Sequence, residues 1–214
     1  MPANLSVEEL RDVYARLAPI YRLWERWGEA PRRLALEMAA VRDGERVLEL
    51  AVGPGLALRQ LAAKNVSGAT IGVDITGAML RRTLRLFRRA SLPPPRLCQC
   101  DGRSLPFEDA SFDLVFSSHM LDSLSAADIE TAIDEIRRVL KPSGRMLVLH
   151  IASGSMWFNR FWRVFYWLVP NLLGGCRPIR LAGYLPEARF FVTDVRRVTA
   201  WGIPTEMILA RRSR

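Results

Sequence analysis

Val47-Leu-Glu-Leu-Ala-Val-Gly-Pro-Gly55 is the stretch that decides the fold of this chain. It begins as a short apolar run typical of a buried strand, and the apolar residues of the segment that follows, Leu56 to Lys64, recur at helical spacing. Glycines between a strand and a helix let the backbone approach a ligand closely, because they lack a Cβ atom. The stretch therefore predicts an open α/β sheet that binds a nucleoside-containing cofactor, with Gly53 and Gly55 in the site.

The sequence on either side alternates between strand-like and helix-like segments. Strands are predicted at residues 46–51, 70–74, 96–100, 112–117 and 144–151, the last after a turn at 141–144, with helices at 56–64, 77–89 and 128–140. The β-rich runs 190–199 and 205–210 predict an antiparallel hairpin at the sheet edge. We therefore expect a single domain with a mostly parallel, seven-stranded Rossmann-like sheet and helices on both faces. Its expected parts are a helical cap at 1–38, a cofactor-binding core at 41–151, and a cover with the hairpin at 152–214.

Acidic residues follow the next strands at positions suited to a nucleoside. Asp74 ends the second strand, where a carboxylate accepts hydrogen bonds from both ribose hydroxyls. Asp101 and Gly102 close the third strand, where an acid and a backbone N–H would meet the edge of an adenine. Because the carboxyl ends of parallel strands meet at one edge of a sheet, these residues point to one adenosine site.

These motifs resemble the class I S-adenosylmethionine-dependent methyltransferases over residues 41–151. VLELAVGPG (47–55), IGVDITGAML (71–80), CDGRSLPFEDASFDLVFSS (100–118) and IRRVLKPSGRMLVLH (136–150) occur in the order of that family. The resemblance implies S-adenosylmethionine as cofactor and S-adenosylhomocysteine as product, and it assigns the glycines to the methionine part. It also implies cofactor contacts from Tyr14, Glu49, Met79 and Ser117. Ala51 stands where the family has its first glycine, and we expect a slightly repacked loop.

The acceptor is expected beyond the fourth strand, near His119, which follows that strand and could act as a base. A packing role for this histidine is the alternative. The opening Tyr14-Ala-Arg-Leu-Ala-Pro-Ile-Tyr21 resembles the start of quinone-ring and phospholipid methyltransferases, which implies that Tyr21 faces the acceptor and takes part in catalysis. Arg177 and Arg180 are predicted to bind the substrate.

Charge and aromatic content bear on the acceptor. The formal net charge is +9, and the segment from Ser155 to Leu168 carries seven large aromatic residues and two arginines, as in an interfacial helix or a cover over a lipid-like substrate. A fully buried crossover helix is the alternative. The segments starting at Cys176 and Trp201 resemble bacterial phospholipid N-methyltransferases, which implies methylation of phosphatidylethanolamine toward phosphatidylcholine. C-methylation of a demethylmenaquinone- or ubiquinone-type ring, a small-amine acceptor and, more remotely, a non-enzymatic nucleic-acid-binding protein are the other readings.

The same features predict where the chain works. Its longest apolar stretch near the end, Val164 to Cys176, is thirteen residues long, and the opening MPANLSVEEL carries acids where a secretory signal is basic and then apolar. We therefore expect a cytoplasmic enzyme on the inner face of the membrane, with an anionic lipid surface and no nucleic acid as partner. The three cysteines fit neither a disulfide framework nor a metal site.

Overall fold

Seven strands form one sheet in the order β3-β2-β1-β4-β5-β7-β6. The structure is a computed structural model that describes residues 28–168 and 175–213, with the side chains of 165–168 left out. The first five strands pair in parallel, and β7 pairs in antiparallel fashion with both β5 and β6. The strand bounds are β1 Arg46–Leu50, β2 Ala69–Asp74, β3 Arg96–Gln99, β4 Phe112–Ser118, β5 Leu140–Ile151, β6 Phe190–Ala200 and β7 Ile203–Arg212. The predicted sheet and its terminal hairpin are confirmed.

Five helices lie among the described residues: α1 Glu29–Ala39, α2 Leu56–Lys64, α3 Gly77–Arg89, α4 Ala126–Val139 and α5 Met156–Leu168. Apolar side chains of α4, including Ile129, Ile133 and Ile136, pack on one face of the sheet. Leu36 of α1 and Leu61 of α2 pack on the other face. Burial of these apolar stripes holds the helices on both faces and places the strand ends of the parallel region along one edge.

The predicted turn at 141–144 is instead the bulged beginning of β5. Phe112 pairs with Leu140, but Leu114 pairs with Arg145, so the intervening residues of β5 have no matching length in β4. A Cβ atom on Gly144 would lie 2.9 Å from a carbonyl oxygen within the bulge. A side chain at this position would therefore collide with the backbone. The Pro-Ser-Gly sequence that predicted a tight turn is thus the sequence of the bulge.

The segment before α1 belongs to the predicted cap, and residues 1–27, which include Tyr14 and Tyr21, lie outside the described residues. Over 28–168 and 175–213, no helix combines the length and the apolar character needed to cross a lipid bilayer.

Candidate functional site

The turn after β1 is held closed by its glycines. Gly53 and Gly55 have φ angles of +52° and +84°, a region that L side chains rarely adopt. A Cβ atom on Gly55 would lie 2.5 Å from Cγ2 of Thr83, and the Thr83 hydroxyl donates to the Gly53 carbonyl oxygen at 2.9 Å. The absence of a Cβ atom at Gly55 thus allows α3 to pack against the turn. Gly53 lines the cleft at the strand ends.

Ala51 adopts the left-handed conformation that glycine favours, with a φ angle of +52°. A non-glycine residue in this region costs on the order of 1 kcal/mol. The backbone thus keeps the shape expected for a glycine at this position, and Ala51 itself lines the cleft.

Asp74 connects the turn to β2. Its carboxylate accepts a hydrogen bond from the Gly53 N–H at 3.0 Å and two from the backbone N–H and hydroxyl of Thr76, at 2.9 and 2.8 Å. Burial raises its pKa, and these donors partly offset that effect. The carboxylate borders the cleft, and Oδ2, which accepts one hydrogen bond within the protein, keeps a lone pair for a ribose hydroxyl.

Asp101 is paired with an arginine that sequence reasoning missed. The Arg103 guanidinium donates to both oxygens of Asp101, with Nη2 at 2.7 Å, and its Nη1 donates to Asp128 at the start of α4. Partial burial opposes ionisation of Asp101, but the hydrogen bonds and charge of Arg103 outweigh it and lower the pKa. An adenine amine would therefore bind a carboxylate that Arg103 already holds in place. In the sequence, an arginine two residues after the aspartate, on a turn, was the feature that could have predicted this pair.

Apolar side chains form much of the remaining cleft, which has a volume of about 800 Å³ including its open mouth. Met79 is buried in its wall, and a Cβ atom on Gly102 would lie 2.7 Å from the sulfur of Met120. The other apolar lining residues are Val73, Ile75 and Leu124. The apolar wall suits an adenine ring beside the carboxylate of Asp74.

His119 lines the side of the cleft that lies after β4. Its Nδ1 lies 2.8 Å from Oδ2 of Asp122, which also accepts the Ile151 N–H at 2.9 Å, and the Asp122 side chain is fully buried. His119 has a φ angle of +57°, and its N–H donates to the Leu149 carbonyl at 2.8 Å. A carboxylate that accepts Nδ1–H leaves the lone pair of the imidazole on Nε2, and Nε2 is itself buried. The pair therefore has the composition of a positioned base whose proton-accepting atom is covered in this structure.

Several predicted residues lie away from the cleft. Ser117 is fully buried in β4, and its neighbour Ser118 lines the cleft in its place. Glu49 is buried at the α1 side, and burial raises its pKa well above the ordinary value, opposed by the charge of Arg32. Its Oε2 has no hydrogen-bond partner among the described residues, so a role in orienting the loop or meeting the cofactor stays a prediction.

The two arginines that were predicted to bind the substrate also lie outside the cleft. Arg177 donates its N–H to the Asp122 carbonyl at 2.8 Å and its Nη2 to the Leu124 carbonyl at 2.6 Å. It therefore ties the segment after α5 to the loop that carries His119. Arg180 is exposed, and neither arginine is among the residues that line the cleft.

The sequence is similar to that of known methyltransferases. Residues 48–148 match the family described as Methyltransferase domain. The ubiquinone/menaquinone biosynthesis C-methyltransferase UbiE of Cupriavidus necator is 30% identical over 179 residues, which cover 83% of this chain and 68% of that protein.

Solved structures of lower identity share the fold. The cyclase SpnF is similar with a TM-score of 0.80 and 17% identity over 98% of each chain. Phosphoethanolamine N-methyltransferase 2 of Haemonchus contortus, in complex with phosphomonomethylethanolamine and S-adenosylhomocysteine, has a TM-score of 0.77 and 16% identity over 100% of this chain and 62% of its own. At these identities the likeness shows the fold alone.

Proposed function

This chain belongs to the S-adenosylmethionine-dependent methyltransferases, and we propose that it transfers the methyl group to a ring carbon of a hydroxylated, quinone-type acceptor in its reduced form. The observation that carries the proposal is the His119–Asp122 pair on a cleft with apolar walls. A relative named as a quinone C-methyltransferase aligns with 83% of the chain. This acceptor was the alternative to phosphatidylethanolamine in the sequence-based prediction.

Methylation of a ring carbon needs a base. A phenolic hydroxyl has a pKa near 10, so at neutral pH the acceptor is mostly protonated and its ring carbon is a weak nucleophile. Nε2 of His119 is buried in this structure, so it must become accessible when the acceptor enters. Proton transfer from the acceptor hydroxyl to Nε2 then makes the ring electron-rich at the adjacent carbon. Asp122 stabilises the imidazolium that forms, because its buried carboxylate already accepts Nδ1–H.

Alignment supplies the rest of the catalysis. S-adenosylmethionine, when bound, provides a methyl group activated by its sulfonium. Asp74 and Met79 would hold its adenosine on one side of the cleft, while His119 and Met120 border the other side, where the acceptor would lie. The carbon–carbon bond would form as the carbon–sulfur bond breaks, so S-adenosylhomocysteine would be the leaving group. The ring carbon would then lose its hydrogen to solvent as a proton, and the ring would regain its aromaticity.

The surroundings of the arginines favour a ring over a phosphate. Arg103 is the one arginine among the described residues that line the cleft, and its guanidinium is engaged by Asp101 and Asp128. A phospholipid headgroup would need a cation available for its phosphate. Quinols of this class carry apolar tails, so we retain the proposal of an enzyme that works at the membrane surface.

An acceptor panel tests the proposal. The protein would be incubated with methyl-labelled S-adenosylmethionine and one of three acceptors: a chemically reduced demethylated quinol with a short tail, phosphatidylethanolamine in vesicles, or ethanolamine. We expect label in the quinol, attached to carbon by mass spectrometry, and much less with the same compound in its oxidised form. Label in phosphatidylethanolamine but not in the quinol would overturn the proposal and restore the phospholipid reading.

A further inference from the structure

Helix α5 presents an apolar face to solvent. Met156 is 78% exposed, Trp157 76% and Phe161 64%, and Val164 is also exposed. These positions lie along one side of the helix, because 3.6 residues make a turn. Exposed apolar patches of this kind mark interaction surfaces in soluble domains. This finding excludes the fully buried crossover helix that the sequence left open.

The other side of α5 fixes the helix to the sheet. Trp162 is buried and packs with Ile151, and Phe158 contacts the same cluster together with Ala200 and Ile203. The last two residues flank the turn between β6 and β7, so α5 sits directly on that turn. The tip of the turn carries Trp201, whose side chain is 71% exposed. We call the exposed apolar residues of α5 and this turn the aromatic face: Met156, Trp157, Phe161, Val164 and Trp201.

The aromatic face lies at the same edge of the sheet as the cleft. β7 is antiparallel to β5 and begins beside the end of β5, where Ile151 pairs with Thr205. The indole N–H of Trp162 donates to the Cys176 carbonyl at 3.2 Å, and the Cys176 thiol donates to the His119 carbonyl at 3.8 Å. Two hydrogen bonds thus connect the helix to the residue that borders the acceptor side of the cleft.

The charge of the helix completes the pattern. Arg160 and Arg163 are exposed, and the sequence of α5 contains no aspartate or glutamate. Trp side chains and arginines on one surface are the composition of elements that lie in the lipid headgroup region, where aromatic rings and cationic groups both find partners.

We propose that the aromatic face docks the protein onto a bilayer containing anionic lipids, with the mouth of the cleft turned toward the membrane. The surface at that edge combines exposed tryptophans with cations, which matches the negative charge and apolar interior of such a bilayer. This proposal deepens the proposed function, because an acceptor with an apolar tail would reach the cleft from the bilayer. Docking itself does not depend on the identity of the acceptor.

Vesicle co-sedimentation of the full chain tests the proposal with phosphatidylglycerol-containing and purely phosphatidylcholine vesicles. The double variant Trp157→Ser with Trp201→Ser should bind anionic vesicles roughly ten-fold or more weakly. Its matched control, Phe191→Ser, removes an exposed aromatic ring at the start of β6, at the opposite edge of the sheet. This control should bind like the wild type.

A second pair of variants tests the cations. Arg160→Gln with Arg163→Gln should weaken binding to anionic vesicles by roughly thirty-fold, about five-fold for each charge near the surface, and the effect should diminish with added salt. Arg81→Gln with Arg85→Gln removes the same charge from the exposed side of α3 and should leave binding close to wild type. Equal losses in both pairs would overturn docking through the aromatic face, because they would reflect net charge alone.

Activity on the short-tailed quinol in the absence of vesicles separates this inference from the proposed function. The tryptophan double variant should keep wild-type turnover there, since its substitutions lie on the exposed surface. Wild-type protein that methylates the quinol but does not bind vesicles would refute the docking proposal only. Protein that binds vesicles through the aromatic face but does not methylate the quinol would refute the proposed acceptor only.

Discussion

Replacing Asp122 by asparagine tests whether this carboxylate prepares His119 to accept a proton. The side chain is fully buried, and a single oxygen accepts both the imidazole N–H at 2.8 Å and the Ile151 N–H at 2.9 Å. Asparagine has nearly the same shape and keeps an oxygen for these donors, but it lacks the charge. The substitution therefore removes charge stabilisation of the imidazolium with little change in packing.

The expected size follows from the kind of hydrogen bond lost. A hydrogen bond to a charged group contributes about 1.5–3 kcal/mol and a neutral one about 0.5–1.5 kcal/mol, so the difference is about 1–2 kcal/mol. Applied to the barrier of a proton-transfer step, this lowers kcat by roughly five- to thirty-fold. The Kd for S-adenosylmethionine, measured by calorimetry, should not change, because Asp122 is not among the residues that line the cleft.

The pH dependence of kcat distinguishes a positioning role from damage to the fold. As pH rises toward the phenolic pKa near 10, the acceptor hydroxyl ionises without help, so the deficit of the Asp122→Asn protein should shrink. Asp134→Asn, on the exposed side of α4, is the matched control and should behave as wild type. Unchanged kcat at neutral pH, or a deficit that is constant with pH and accompanied by a lower Tm, would refute the reasoning.

Other substitutions test the cofactor side and its support. Asp74→Ala should weaken S-adenosylmethionine binding by about 1.5–3 kcal/mol, and unchanged affinity by calorimetry would remove this carboxylate from the ribose site. Gly55→Ala should lower the free energy of unfolding by roughly 1–3 kcal/mol, since the added methyl has no room and φ is +84°. Gly183→Ala, where a Cβ atom would meet no atom within 4 Å, should be neutral in the same denaturant titration. The hydrogen bond from Arg138 lowers the pKa of the Glu135 carboxyl group in the folded protein. The ion pair therefore stabilises the fold above the pKa that Glu135 has in the unfolded chain, and this stabilisation disappears as pH falls through the folded-state pKa. Glu135→Gln should therefore cost up to about 1 kcal/mol at pH 7 and nothing near pH 2, and an equal cost at both pH values would contradict this account.

The sequence predicts those parts of the site that depend on local pattern and strand direction. Asp74 ends a strand, Asp101 and His119 each follow one, and parallel pairing is sufficient to bring them to one edge. Successive side chains of a strand point to opposite faces, so only one of the neighbours Ser117 and Ser118 can face the cleft. The sequence does not show at which residue β4 ends, and an error of one residue in that position selects the buried serine.

Contacts between distant segments were beyond the sequence-based prediction. The Arg103–Asp128 ion pair joins the turn after β3 to the start of α4, and it depends on how that helix packs. The tie between Arg177 and the Leu124 carbonyl likewise exists only once the segment after α5 returns to the sheet. Periodicity and motif spacing describe each segment alone and carry no information about such pairings.

The position of β7 constrains the order in which the chain folds. This strand is the last of the seven in sequence but lies between β5 and β6, so β6 has no place in the sheet until β7 arrives. The two strands are joined by the short turn at Trp201 and Gly202 and form a local hairpin, which needs little loop-closure entropy. We expect the hairpin to assemble first and dock onto β5 as a unit. Before that step, the exposed β5 edge is the part of the folding intermediate at which strands from another molecule could attach.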